Sequence, residues 1–312
     1  MDLICPACRA DLRRDADAYH CAGCEKAYPV IDGVPVLIND ANSVFAIDDF
    51  RSAPSYQGGT YGGVSDRKPG LRGLYRRFIR FMRGVHVRPV HTDAETAVQR
   101  LLDESEHPRI LVIGAGDTSY AGADDNRGEF VYTDVAFGNR TQYICDAHDL
   151  PFEDGSFDAV LAISVLEHVV DPYRVVSEIH RVLADDGVVY AVTPFLQPVH
   201  NGAHDFTRFT YLGHRRLFRC FDDIESGMAL GSWSSVAKIV AETLRATGRR
   251  GRLRSALGLF GVLLHPLIGC LDIFTRRNVA ALDVASGVYF WGRRRATPIP
   301  DRDIIKLYRG GL

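Results

Sequence analysis

Ile110-Leu111-Val112-Ile113-Gly114-Ala115-Gly116-Asp117, followed by Phe130-Val131-Tyr132-Thr133-Asp134, is the stretch on which the fold of this chain turns. An unbroken apolar run suits a strand covered on both faces, as in a parallel sheet. The glycines after it let backbone come close to a ligand, and the free amides of the next turn favour an anion. The second strand ends in an acid. A third, short strand stops at Cys145-Asp146-Ala147, and the turn-rich segment Leu150 to Asp158 leads into the apolar run Ala159 to Ser164. A helix signal opens at Val165-Leu166-Glu167-His168-Val169-Val170-Asp171-Pro172 and continues through Ser177 to Leu183. The turn Asp185-Asp186-Gly187 and a fifth strand, Val188 to Thr193, follow. Strands alternating with helical stretches predict one half of a nucleotide-binding α/β sheet, with ligands at the carboxyl ends of the strands.

The ordered set of Gly-x-Gly, Asp134, Asp146, Leu-Pro-Phe before Phe157-Asp158, and Leu-Glu-His resembles the class I S-adenosylmethionine (SAM)-dependent methyltransferases. The type 11 group is the nearest. The resemblance covers residues 91–220, with a last antiparallel strand near 287–292. It implies a Rossmann-like α/β sheet with helices on both faces, and SAM as cofactor. Gly114, Gly116 and Asp117 would surround the methionine end, and Asp134 would meet the ribose. Asp146 and the Ala147 backbone would meet the adenine edge, with Ser164 beneath the methyl-donor end. Taken singly, Asp134 and Asp146 also read as acids that end strands and start turns. The chain departs from the family at Thr118, where many members have a third glycine. The short intervals from Gly116 to Asp134 and from Asp134 to Asp146 predict an abbreviated first crossover helix and almost no second one.

Cys5-Pro6-Ala7-Cys8 and Cys21-Ala22-Gly23-Cys24 form two Cys-x-x-Cys knuckles at the spacing of a four-thiolate zinc ribbon. Cys145, Cys220 and Cys270 are scattered and no secretion signal precedes the knuckles, so a metal is favoured over disulfides. Four thiolates leave no open position, which makes the zinc structural. The segment from Ala27 to Ile38 resembles the small zinc-ribbon proteins that activate tRNA methyltransferases.

At 312 residues and 46% hydrophobic content the chain can bury a large core and carry a small appendage, and a net charge of −2 gives no global nucleic-acid footprint. The expected organisation is a zinc ribbon at 1–39, a linker with a basic amphipathic helix at 40–90, the methyltransferase domain at 91–298 and a tail at 299–312. Within the domain a helical insert occupies 233–281. The linker contains Tyr56-Gln57-Gly58-Gly59-Thr60-Tyr61-Gly62-Gly63, a cover for SAM or a plain tether. Between Arg67 and Arg88 lie eight Lys and Arg residues with no acid, interleaved with Leu71, Leu74, Tyr75, Phe78, Ile79 and Met82 at helical spacing. Such a helix packs on the core, lies on an anionic membrane or holds RNA phosphates. Ala256 to Phe274 approaches the length of a membrane span, but Pro266 splits it and Asp272 would be costly in hydrocarbon. It reads as a helical hairpin, a packed lid or an interfacial anchor before a crossing helix. Localisation is expected to be cytoplasmic, with peripheral contact at the inner membrane face left open.

The loop after the fifth strand, Thr193 to Thr210, carries His200, His204, Asp205 and Arg208. SAM brings its own leaving group, so the protein mainly has to align the acceptor with the sulfonium. A hydroxyl acceptor would benefit from a base, for which His200 or His204 is the candidate, with Asp205 orienting an imidazole. Equally, Asp205 and Arg208 could pair to fix the loop while the histidines stand by, and a His-x3-His metal pair lacks a third ligand at fixed spacing. The leading expectation is methyl transfer to a small-molecule, glycan or lipid-linked acceptor. An rRNA or tRNA methyltransferase with the ribbon aiding RNA binding is the alternative, disfavoured because Thr193-Pro194-Phe195 lacks the Asn-Pro-Pro-aromatic pattern of amino-group methylation. A methyltransferase-like scaffold without catalysis is the third.

Overall fold

The computed structural model describes residues 3–52, 93–116, 118–120, 123, 126–248 and 251–311. Asp117, the Tyr56 to Gly63 segment and the basic stretch from Arg67 to Arg88 lie outside the described residues. Four short strands come first: β1 (Leu12–Arg14), β2 (Ala18–Cys21), β3 (Ala27–Ile31) and β4 (Val34–Leu37). Then follow β5 (Arg109–Ile113), β6 (Glu129–Asp134), β7 (Tyr143–Cys145), β8 (Phe157–Ile163), β9 (Leu183–Pro194), β10 (Phe221–Leu230) and β11 (Gly287–Arg294). They join in the order β1-β2-β3-β4-β7-β6-β5-β8-β9-β11-β10.

From β7 to β9 the pairing is parallel, and β11 runs antiparallel between β9 and β10. Ile110 and Leu111 are fully buried, as expected of a strand with layers on both faces. One layer packs Leu111, Val131, Val160 and Val189 against the helix Pro172–Val182, and the other packs Ile110, Val112, Tyr132 and Leu161 with the helix Ala94–Glu104. Between β5 and β6 the described residues form no regular helix, and residues 135–142 join β6 to β7 without one. The chain there is too short for a full crossover.

The helix expected from Val165 starts later. Helices α1 (Ile47–Ser52), α2 (Ala94–Glu104) and α3 (Pro172–Val182) precede β9, and α3 is entered with proline in its first turn. The Asp171 carboxylate accepts from the Arg174 N–H at 3.1 Å, satisfying an amide that the helix itself cannot. Residues 165–171 are turns, which frees Glu167 and His168 from a helix face.

The amino-terminal strands are not an appendage. β4 pairs in parallel with β7, Val36 opposite Ile144 and Leu37 opposite Cys145, so the ribbon continues the central sheet. The Ile4 N–H donates to the Pro151 carbonyl, and Arg9 pairs with Glu178 on α3 at 2.8 Å. Tyr28, Leu37, Phe152 and Phe157 share one core. A short edge strand such as β7 leaves backbone groups unpaired, and the ribbon supplies their partners.

The insert between β10 and β11 follows α4 (Tyr211–Leu217) and consists of α5 (Ser232–Thr247), α6 (Arg252–Gly269) and a short turn of helix at Asp272–Thr275. Pro266 does not split it: α6 runs through this proline and ends one turn later. Asp272 is also not a stray charge. It accepts from the N–H groups of Trp233 and Ser234 at 2.7 and 3.1 Å and from the Ser234 hydroxyl, capping α5 from forty residues away. Gly231 makes room for it, because a Cβ there would stand 2.0 Å from the carboxylate carbon.

His214 on α4 is fully enclosed, edge-on to Phe218, and its Nε2 makes no hydrogen bond. Burial, with the neighbouring Arg215 charge, pushes its pKa down to about 3. The unfolded chain therefore binds a proton here that the folded chain refuses. Stability present above the unfolded pKa of about 6.5 falls as pH drops, by about 2 kcal/mol at pH 5. Urea titrations of wild type and His214→Phe at pH 7 and pH 5 should show a smaller acid loss in the variant; equal losses would refute this account.

Candidate active site

Chain order reverses on either side of β5 and β8, whose neighbours are β6 and β9. Such a reversal opens a crevice beyond the carboxyl ends of the strands. There, Gly114, Asp134, Asp146, Ala147 and Ser164 meet around one cavity. Five residues singled out across fifty positions of sequence thus share one wall. Gly114 has a φ of 65°, and a Cβ on it would lie 2.6 Å from a Val165 methyl, so the loop needs glycine on both counts. Ser164 also has a positive φ, 54°, an unusual backbone for a residue with a side chain.

The two acids hold the crevice in shape. Asp134 accepts from the Gly116 N–H at 2.8 Å, fixing the glycine loop, and from the Val135 N–H at 2.7 Å. Asp146 accepts from the Ser43 hydroxyl and from both the backbone and the ring of His148. The Asp171 N–H donates to His148 Nε2 at 3.0 Å, which leaves the proton on Nδ1 facing Asp146. Although burial alone would raise it, His148 and Ser43 hold the Asp146 pKa below the usual carboxylate range. Three of its roughly four acceptor positions are used within the protein. Ser43 and the cavity-lining Val44 and Phe45 come from the segment after β4, and nothing in their sequence marked them.

Of the loop residues, His204 borders the cavity, its ring stacked on Phe45 at 5.7 Å. His200 and Asp205 stand behind it. Asp205 forms a bidentate pair with Arg208 and accepts from the His200 N–H at 2.7 Å, closing the loop on itself. His168 lines the cavity and donates from Nδ1 to the His204 carbonyl at 2.7 Å. Glu167 is completely buried, and neither of its carboxylate oxygens has a hydrogen-bond partner. The sequence showed Glu167 and His168 only as part of Leu-Glu-His; their chemistry appears once His200 folds over them.

Residues 113–191 match the family model described as a methyltransferase domain. That match runs from the end of β5 into β9 and spans about a quarter of the chain. The methyltransferase sheet is similar in sequence to an uncharacterised methyltransferase of Mycobacterium sp. (strain JLS), 34% identical over 34% of this chain and 46% of that one. It is also similar to a ubiquinone/menaquinone biosynthesis C-methyltransferase of Desulfotalea psychrophila, 30% identical over 46% of this chain and 57% of that one. The chain thus spans about half the length of these curated relatives. Among solved structures it resembles a phosphoethanolamine N-methyltransferase of Haemonchus contortus, TM-score 0.43 and 16% identity, over 74% of this chain and 59% of that one.

At the far edge of the methyltransferase sheet the four knuckle sulfurs lie within 4.8 Å of one another, with Cys5 and Cys24 3.6 Å apart and Cys8 and Cys21 3.3 Å apart. Four sulfurs around a tetrahedral zinc at 2.3 Å would lie about 3.8 Å apart, so the donor set fits such an ion after small shifts. The N–H groups of Gly23 and Cys24 donate to Cys21 Sγ. Against burial, which raises it, these amides bring the Cys21 thiol down to about 6, while its neighbour Cys8, beside that thiolate, is pushed up to about 12, so one proton is shared between the pair. Because β4 leads directly to Ser43 and Phe45, loss of the metal should reach the cavity. Chelator treatment is expected to lower the melting temperature of the whole domain and weaken cofactor binding together. A separate low-temperature transition with unchanged cofactor affinity would contradict the shared core.

Proposed function

We propose that this chain is a SAM-dependent methyltransferase that takes its cofactor in the crevice beside Gly114, Asp134, Asp146 and Ser164, with a structural zinc on Cys5, Cys8, Cys21 and Cys24. The convergence of these separately recognised residues on one cavity carries the reading, and the family match over residues 113–191 supports it. In this reading the glycine loop, continuing into Asp117, receives the methionine end. Asp134 turns to the ribose diol, and the Ala147 backbone with the remaining acceptor position of Asp146 meets the adenine. Transfer needs the acceptor in line with the sulfonium, and alignment supplies much of the rate. His204 is the loop histidine that faces the cavity, and is our candidate base for a hydroxyl acceptor; His200 and Asp205 position it through the loop.

The acceptor we favour is lipid-linked. Within Leu253 to Thr275 the 18-residue apolar window has a mean hydropathy of 1.9 and is 28% buried, and Leu267 and Phe274 are 66% and 79% exposed. Soluble surfaces seldom leave so much large apolar area uncovered. The insert also reaches the reaction loop: Lys238 on α5 donates to the Gln197 side chain at 2.8 Å, and Arg208 donates to the Gln197 carbonyl. A face resting on lipid would hold the crevice beside the membrane surface.

Two measurements test this. Calorimetry should show Asp134→Ala weakening SAM by about 1 to 3 kcal/mol, roughly 5-fold to 150-fold, as when a hydrogen bond to a charged acceptor is lost; unchanged affinity would reject the cofactor assignment. The wild-type protein should co-sediment with anionic vesicles, and the pair Leu267→Glu and Phe274→Glu should release it while SAM affinity stays the same. Binding to a structured RNA without vesicle association would overturn the lipid-linked acceptor.

A further inference from the structure

Behind the cavity wall, three side chains make a second donor set outside the SAM contacts. Glu167 Oε1 lies 3.7 Å from His168 Nε2 and 3.7 Å from His200 Nε2, and the three donor atoms lie within 4.8 Å of one another. A buried carboxylate with two empty oxygens is costly unless a proton, a cation or a donor satisfies it. The described residues give it no hydrogen-bond donor. The imidazoles are turned to serve something else. His168 gives its Nδ1 proton to the His204 carbonyl, so the Nε2 lone pair points at the same space as Glu167. An imidazole fixed by hydrogen bonding through one nitrogen is the usual arrangement when the other binds a metal. His200 accepts at Nδ1 from Arg208, 3.3 Å away, with Asp205 at 3.5 Å, so its neutral ring carries the proton on Nε2 beside Glu167, and a cation there would take that proton's place. The two rings meet edge to face at 5.0 Å and 80°.

We infer that Glu167, His168 and His200 bind a divalent first-row cation, distinct from the ribbon zinc, beside the methyl-transfer cavity. Donor atoms about 2.1 Å from one cation lie about 3.0 to 3.5 Å apart, so each carboxylate–imidazole separation of 3.7 Å would close by about 0.2 to 0.7 Å on binding. Two imidazoles and one carboxylate suit manganese(II), iron(II) or zinc(II) better than calcium, which prefers oxygen. Three protein ligands leave positions open to an acceptor, and His168 belongs to both the donor set and the cavity wall.

Resting on the SAM-transfer reading, the acceptor class follows. A cation with two adjacent open positions selects a molecule with two neighbouring oxygens, such as a catechol, a vicinal diol or a hydroxy acid. Bound to the cation, one hydroxyl loses its proton to solvent water more readily. That oxygen then forms a bond to the methyl carbon as the carbon–sulfur bond breaks and its electron pair stays on sulfur. The products are the methyl ether and S-adenosylhomocysteine, with the cation unchanged in charge.

The test uses the full chain with its ribbon already loaded with zinc. Titrating manganese(II), followed by loss of the free-ion electron paramagnetic resonance signal, should reveal one further site. Glu167→Gln and His200→Ala should each weaken that site about 100-fold or more while SAM binding by calorimetry stays within about twofold. His200 is partly exposed, so its variant retains the fold if Glu167→Gln does not, and melting curves report which variants are folded. A nitrocatechol probe should change its absorption on manganese-loaded wild type and not on the folded variants. No uptake of manganese(II), iron(II) or zinc(II) beyond the ribbon, or equal uptake by wild type and both variants, would overturn the site. Because SAM affinity is read separately, failure of the cofactor reading would show as absent SAM binding in the wild type.

Discussion

The pairing of Val36 and Leu37 with Ile144 and Cys145 is the contact on which the rest of the molecule is arranged. A parallel sheet ending in a strand as short as β7 needs backbone partners at that edge and a cover for its apolar faces. The ribbon supplies both. Once β4 is fixed there, the segment after it crosses the carboxyl ends of the strands and delivers Ser43 to Asp146 and Phe45 to His204. Asp146 then links that segment, through His148, to the start of α3. The crevice therefore takes part of its wall from the segment that β4 delivers, and Cys145 of the same strand pair borders it too.

The central strands were legible because their apolar runs and terminal acids are local signals, and so were the four cysteines, whose spacing is itself the signal. Elements set by distant partners were not. Asp272 read as a charge misplaced in an apolar stretch because the amides it caps, on Trp233 and Ser234, lie far back in the chain. Pro266 read as a break, yet it sits near the end of α6, where one missing N–H disturbs little. The ribbon read as an appendage because the sequence of β4 does not say which strand it will join. Among the candidate site residues, Gly114, Asp134, Asp146, Ala147 and Ser164 line one cavity, while the loop histidines divided: His204 faces the cavity and His200 faces Glu167.

Two uses of charge stand side by side in this fold. Glu178 and Arg181 bond each other, Arg181 donates to the carbonyls of Leu150 and Phe152, Glu178 accepts from the Leu150 N–H, and Arg9 joins from the ribbon, so every charge there has partners. Glu167, equally buried, accepts no hydrogen bond among the described residues and has only His168 and His200 near one oxygen, each at 3.7 Å. The first kind of site fastens layers together; the second keeps its binding capacity for a group the chain does not itself provide.

Ribosomes make the ribbon first. At about 5 to 20 residues per second, its partner strand β7 follows β4 only after roughly 5 to 20 s. During that interval the knuckles have neither the sheet's core nor its edge to lean on, only the pairing of β1 to β4 among themselves, to which a metal on the four cysteines would add folding free energy. Metal loading would then come before sheet closure, and a ribbon that met its strand empty would offer the growing sheet a poorly formed template.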